Sequence, residues 1–216
     1  MSVRATIDRY VFGMRERKVP IEALKGVYPI HKQSWAAPLA ADDDYFVTTT
    51  ALPASAADWV LGTPAGFVKD APDFPRNVVA VCSGSQSGNL VAYGWDIKGR
   101  YVSETIALNG ATPVAGKVAF ASYQKFRVPA KADSETIKIG TGIVMGLDRP
   151  LGADTILFGT ADGVQMTNAT RGTVVLASQA ANADRNGTWA PHTNYAADGS
   201  KILVVYYIPS DMVVVE

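Results

Sequence analysis

A single cysteine, Cys82, leaves no intramolecular disulfide, so packing must hold whatever fold the chain adopts. Its place at the end of the apolar run Val78–Cys82 predicts a buried structural thiol rather than a nucleophile. The two histidines, His31 and His192, lie far apart, and there is no HExxH or CxxC spacing, so neither a zinc site nor any other cofactor is expected. Charge of one sign is also lacking: 20 basic residues balance 20 acidic ones. Without a basic surplus, nucleic acid is excluded as the main partner. No apolar run approaches the ~18 residues of a membrane span. The opening MSVRATIDRYVFGMRERK scatters charges where a signal peptide needs an apolar core, so synthesis in a cytoplasm and a soluble product are expected.

Catalytic motifs are equally scarce. Gly84-Ser85-Gln86-Ser87-Gly88 superficially resembles a nucleophile elbow, but glutamine sits at its centre and strands flank it. Gly140-Thr141-Gly142 has neither the following helix nor the lysine of a phosphate cradle. Asp42-Asp43-Asp44 lacks the spaced ligands and glycine turn of a calcium loop and reads as a solvated turn, so no metal site is expected. No pair of carboxylates stands out for glycoside hydrolysis. The expectation is a protein that is not an enzyme.

What the chain does have is β grammar. With 48% hydrophobic residues in 216, there is enough apolar material for a real core. Asn77–Asn109 reads as strand, turn, strand, turn, strand: Val78–Cys82, then Leu90–Ile97, a Lys98-Gly99 connection, and Tyr101–Leu108. In the last of these, Tyr101, Ser103, Thr105 and Ala107 alternate with Val102, Glu104, Ile106 and Leu108. Further strands are predicted at Tyr45–Thr50, within Thr112–Phe126, at Thr136–Ile139 ending in Gly140-Thr141-Gly142, and at Ile143–Leu147. Thr155–Phe158 and Val164–Met166 form a hairpin-like pair, followed by Gly172–Ser178 and an edge strand at Met212–Val215. Lys201–Pro209 (KILVVYYIP) reads as the most completely buried strand. Leu52–Gly66 reads as a loop with one helical turn, and Ala180–Gly199 as a long loop. Roughly ten to twelve short strands at this spacing predict an all-β protein, an antiparallel β-sandwich or jelly-roll-like barrel.

Residues 1–41 read differently, as an extended N-terminal arm ahead of a β-sandwich domain at 42–216. Seven basic residues there face three acidic ones, and Ala5–Glu16 carries Ile7, Tyr10, Val11 and Met14 at helical spacing. Pro20 stops that helix, and Val27-Tyr28-Pro29 and Ala36-Ala37-Pro38 force extended backbone beyond it; the alternative to an arm is a solvated, partly frayed N-terminus. Such an arm would dock by burying Tyr10, Phe12 and Trp35, guided by Arg4, Arg9, Arg15, Arg17, Lys18 and Lys25.

Gly94-Trp95-Asp96-Ile97-Lys98-Gly99-Arg100-Tyr101-Val102-Ser103-Glu104-Thr105-Ile106-Ala107-Leu108-Asn109-Gly110 resembles a hairpin pattern of virion structural proteins of tailed bacteriophages. The segments that follow it there have counterparts in Lys117–Phe120 and Ser134–Gly142, and the closing segment in Asn186–Pro191, Ala197–Gly199 and Val204–Tyr207. The likeness covers roughly residues 75 to 209 and rests on the order of the pieces. It implies a capsid decoration or cement protein on the exterior of a virion, made in the host cytoplasm. The major capsid protein would be its partner, and the chain itself a homo-oligomer, by analogy a trimer. It implies no catalytic residues. Two other readings stay open: a carbohydrate- or receptor-binding module contacting its ligand through Trp189, His192 and Tyr195, and a hydrolase of cell-wall sugar. For Trp189 and Tyr195 themselves, packing over the end of the sandwich is the favoured expectation.

Overall fold

The computed structural model describes residues 30–151, 154–167, 171–175 and 186–211, of which Ile30 to Asp211 belong to one compact unit. The expected helix at Ala5–Glu16 and the edge strand at Met212–Val215 lie outside the described residues. Among the described residues fourteen strands follow one another: β1 (His31–Ala36), β2 (Asp42–Ala51), β3 (Ala57–Trp59), β4 (Arg76–Cys82), β5 (Asn89–Trp95), β6 (Tyr101–Ala107) and β7 (Val114–Ala115) make up the first half. The second half comprises β8 (Ser122–Val128), β9 (Thr136–Gly146), β10 (Ile156–Ala161), β11 (Val164–Gln165), β12 (Thr173–Val175), β13 (Thr188–Ala190) and β14 (Ile202–Tyr207). The fold is all-β, and every pairing is antiparallel.

Three sheets result. The central one runs β12-β13-β9-β4-β7, with β2 also paired to β9; a second runs β3-β8-β5-β6, and a third β1-β14-β10-β11. The inward faces of β2, β4 and β9 meet those of β5, β6 and β8 in a first core. There Phe46, Phe67, Phe120, Tyr123 and Phe126 meet in tilted and edge-on contacts at centroid distances of 4.5–6.1 Å. Each such side chain contributes about 2–3 kcal/mol by leaving water. A second core joins the far end of β9 to the third sheet through Met145, Leu147, Ile156, Leu203, Val205 and Tyr207. Its centre is Trp35 stacked on Trp189 at 5.5 Å.

Strand β9 therefore serves both cores, and its glycines explain how. A Cβ on Gly140 would lie 1.8 Å from the Asp42 carbonyl oxygen, and one on Gly142 would lie 2.3 Å from Asn77 Oδ1. The Gly140-Thr141-Gly142 segment, which reads as a strand end, is instead the middle of an 11-residue strand pressed between close neighbours. Asn77 turns that contact into order: its Nδ2 donates to Gly116 O at 2.7 Å, and its Oδ1 accepts from Val144 N at 3.0 Å.

The start of the chain also departs from expectation. His31–Ala36, assigned to the arm from sequence, pairs along its whole length with β14. Gln33 and Trp35 face in while Lys32 and Ser34 face out, an alternation masked by the lack of β-branched residues. Gln33 donates to Gly146 O and accepts from Asp148 N, at 2.9 and 3.0 Å, so its amide continues the pairing sideways onto the end of β9. Leu52–Gly66 holds no helical turn but the short strand β3, whose Trp59 closes the first core. β14 sits centrally in its sheet, yet only one face is fully covered, and Ile202 is exposed.

Arg76 fastens these parts. Its side chain is 1% exposed, and Nε lies 3.0 Å from Asp73 Oδ1. Its terminal nitrogens donate to the carbonyl oxygens of Leu39, Ala40 and Gly142. Asp73 in turn accepts from Leu39 N at 2.7 Å. Replacing Arg76 by Met is expected to lower unfolding free energy by about 3 kcal/mol, because Asp73 and three carbonyls lose their partner. Urea denaturation followed by tryptophan fluorescence measures it, and a loss below about 1 kcal/mol would contradict this role.

Candidate interaction surface on the β5–β6 hairpin

The hairpin carries its exposed chemistry on the side away from the first core. In β5, Leu90, Ala92 and Gly94 face in while Val91, Tyr93 and Trp95 are half-buried on the outer side. In β6, Glu104 and Ile106 are buried, whereas Tyr101, Thr105 and Ala107 are exposed and Ser103 is half-buried. Unbroken register from Asn89↔Ala107 to Trp95↔Tyr101 places the aromatics together. The Trp95 and Tyr101 rings lie 5.8 Å apart at 69°, and those of Tyr93 and Tyr101 6.5 Å apart at 22°. Cross-strand aromatic contacts of this kind stabilise a sheet and also leave π-faces and edges toward solvent.

The connection between the two strands is longer than the Lys98-Gly99 turn expected. It runs 96–100 because the buried Asp96 organises it. Asp96 Oδ1 accepts from Lys98 N and Arg100 N, both at 2.9 Å, and Oδ2 accepts from Arg100 Nε at 2.6 Å. Gly99, at φ 73°, takes the left-handed position. Arg100 then donates to Asn186 Oδ1 at 2.8 Å, tying the hairpin tip to the chain just ahead of β13.

Polar groups frame the rings. The register of β8 against β5 slips between Tyr93 and Gly94, leaving Gln124 as the extra residue of a bulge. Gln124 Oε1 there accepts from the Tyr101 hydroxyl at 2.7 Å. Beside it, Lys125 Nζ stands 4.9 Å from the Tyr93 ring centroid and 2.7 Å from Asp58 Oδ2. Arg127 approaches the same carboxylate at 3.4 Å. The ammonium of Lys125 donating to it, reinforced by Arg127, holds the Asp58 carboxyl below its usual range. The same bond raises the Lys125 ammonium above its own.

The residues predicted to form contacts fall elsewhere. Arg4, Arg9, Tyr10, Phe12, Arg15, Arg17, Lys18 and Lys25 lie outside the described residues. Trp35 is not on a docking arm but 1% exposed in the second core. Trp189 is not a loop contact either: it is fully buried against Trp35, with Nε1 donating to Arg171 O at 2.7 Å. His192 is half-buried, and its Nδ1 accepts from Asn194 N at the start of a single 3-10 turn, Thr193–Tyr195. Tyr195 leans on the second core. The Trp189, His192 and Tyr195 set is thus not assembled as one exposed surface.

Other chemical groups serve the fold. His31 Nε2 lies 2.8 Å from Asp148 Oδ1, and the Tyr207 hydroxyl donates to the same oxygen at 3.0 Å. Burial, then the Asp148 charge, pushes the Tyr207 hydroxyl far above its usual range. Burial likewise raises the Cys82 thiol to about 11, so thiolate chemistry at neutral pH is suppressed. Asp42-Asp43-Asp44 opens β2 rather than forming a turn, and its carboxylates converge within 4.8 Å beside Lys138.

Tyr93, Trp95 and Tyr101 do not stand out as a surface in the sequence. The signal is there in alternate positions of one hairpin, since Val91, Tyr93 and Trp95 must share a face with the residues opposite them. No family model, no curated protein and no solved structure matches the chain.

The Asp58–Lys125 pair is directly testable. A depressed carboxyl contributes stability above its unfolded range and loses it as pH falls through the folded value. Being exposed, this one contributes little. In carboxyl NMR titrations Asp58 is expected to titrate below ordinary aspartates and to move back up in Lys125→Met. An unmoved midpoint in that variant would show that Lys125 does not hold it.

Proposed function

We propose that this chain is a non-enzymatic contact protein mounted on a larger particle, specifically a decoration protein on the capsid exterior of a tailed phage. One observation carries the contact reading. The buried charged residues Arg76, Asp96, Glu104 and Glu135 are all engaged with backbone groups, while the half-exposed Tyr93, Trp95 and Tyr101 stand on the outer face of a regular sheet. The capsid part rests on the likeness of residues 75–209, in segment order, to virion structural proteins. A rigid β body without a cofactor suits attachment to a shell, since a preformed surface loses little entropy on docking.

The test is co-sedimentation of the purified chain with shells assembled from the major capsid protein encoded in the same genome. Saturable binding in a fixed ratio is expected, weakened about tenfold or more by Trp95→Ala or Tyr101→Ala. Absence of binding to shells would sink the decoration reading. The aromatic face also favours a second reading, a glycan-binding module, because aromatic rings framed by amide and ammonium groups suit sugar faces and hydroxyls. Glycan-array binding lost in Tyr101→Ala would select it.

A further inference from the structure

The same hairpin that offers an aromatic face also offers an edge. Strand β6 ends its sheet, with β5 on one side and no strand on the other among the described residues. The remaining edges are guarded or short. β3 and β12 have three residues each and β7 and β11 two, and β1 carries Lys32. The Phe46–Thr50 stretch of β2 is closed by the chain itself. Thr48 N donates to Gly66 O, and Val68 N to Phe46 O, at 3.0 and 2.9 Å.

β6 has seven residues and none of the usual protection: no proline, no lysine and no bulge against β5. An inward-pointing charge can also guard an edge. Here, though, the carboxylate of Glu104 is turned to the amides of Lys117 and Val118, at 2.5 and 3.2 Å. Its charge is spent beneath the sheet.

We propose that β6 pairs antiparallel with β6 of a second copy of this chain, joining two four-stranded sheets edge to edge about a two-fold axis. The strand suits its own inverted copy. On the outer face Tyr101, Ser103, Thr105 and Ala107 are all uncharged, so no like charges oppose each other. Twenty basic and twenty acidic residues leave no net repulsion between whole copies. Register follows from Glu104. An axis at Glu104 would set two carboxylates opposite each other, whereas an axis at Ser103 sets Glu104 opposite Val102 and Tyr101 opposite Thr105. The latter gives two aromatic–β-branched pairs, a favourable cross-strand combination. An isologous contact of this kind closes at two copies rather than the three expected by analogy. It also lays the two aromatic clusters on one continuous face. The pairing does not depend on what that face binds.

Sedimentation velocity of the full chain over a concentration series reads this directly. A dimer is expected for the wild type. Ser103→Lys and Ser103→Glu, each placing like charges opposite one another at the axis, are expected to raise the dimer dissociation constant roughly five- to tenfold. Mixing the two variants restores the dimer as a charge-paired heterodimer. Unchanged far-UV circular dichroism in each variant, with a melting temperature equal to the wild type's at concentrations where both are monomeric, shows that the fold is intact. A wild type that stays monomeric, an oligomer indifferent to both variants, or variants that fail to recover on mixing would each overturn the proposal. Shell binding is measured separately, so its failure leaves this result standing.

Discussion

A buried guanidinium that would be ruinous if left unpaired holds this molecule in register. Arg76 gives up nearly all its hydration and regains partners only where the link between β1 and β2, the Asp73 turn and the middle of β9 come together. Burial lowers its affinity for the proton, and Asp73 opposes that. A hydrophobic residue could fill the same volume, but it would not require two separate backbone segments, Leu39-Ala40 and Gly142, to arrive with their carbonyls aimed inward and the Asp73 carboxylate beside them. The junction between the two cores is thereby specified by geometry as well as by apolar contact.

Around that junction the aromatic residues divide by role. Phe46, Phe67, Phe120 and Phe126 have no polar atom to satisfy and lie in the first core. Tyr123 joins them by directing its hydroxyl to Arg76 O, and Trp189 its ring nitrogen to Arg171 O. Tyr93, Trp95 and Tyr101 remain on the outer side of their sheet, framed by Gln124 and Lys125. Large amphipathic side chains collected in one exposed place are the usual material of recognition surfaces.

Much of this is legible in the chain. The hairpin of Leu90–Ile97 and Tyr101–Leu108, the alternation of its second strand and the all-β class follow from period-two patterning and turn chemistry, and the structure has them within two residues at Asn89–Trp95 and Tyr101–Ala107. What escapes depends on neighbours that sequence does not display. Gly140 and Gly142 look like punctuation until Asp42 and Asn77 are seen to crowd them. His31–Ala36 looks like an arm because its partner strand lies at the other end of the chain. Trp189 reads as packing over the end of the sandwich, but nothing in its own stretch points to Trp35 as the ring that covers it. The aromatic surface is hidden differently. Its residues are visible, but a long loop is the more conspicuous place for contact aromatics than the outer face of a well-defined hairpin.

The pairing of β1 with β14 has a consequence for how the protein comes into being. Residue 31 must wait for residue 207 before its strand has a neighbour, whereas every strand of the first core is complete once residue 146 has been made. On a ribosome the first core can therefore consolidate early, while Trp35 and its flanks remain without cover until the last strand emerges. Contacts between distant parts of a chain form slowly, and apolar surface awaiting them is exposed to misassembly. The period between those two moments is when this chain has most need of a chaperone.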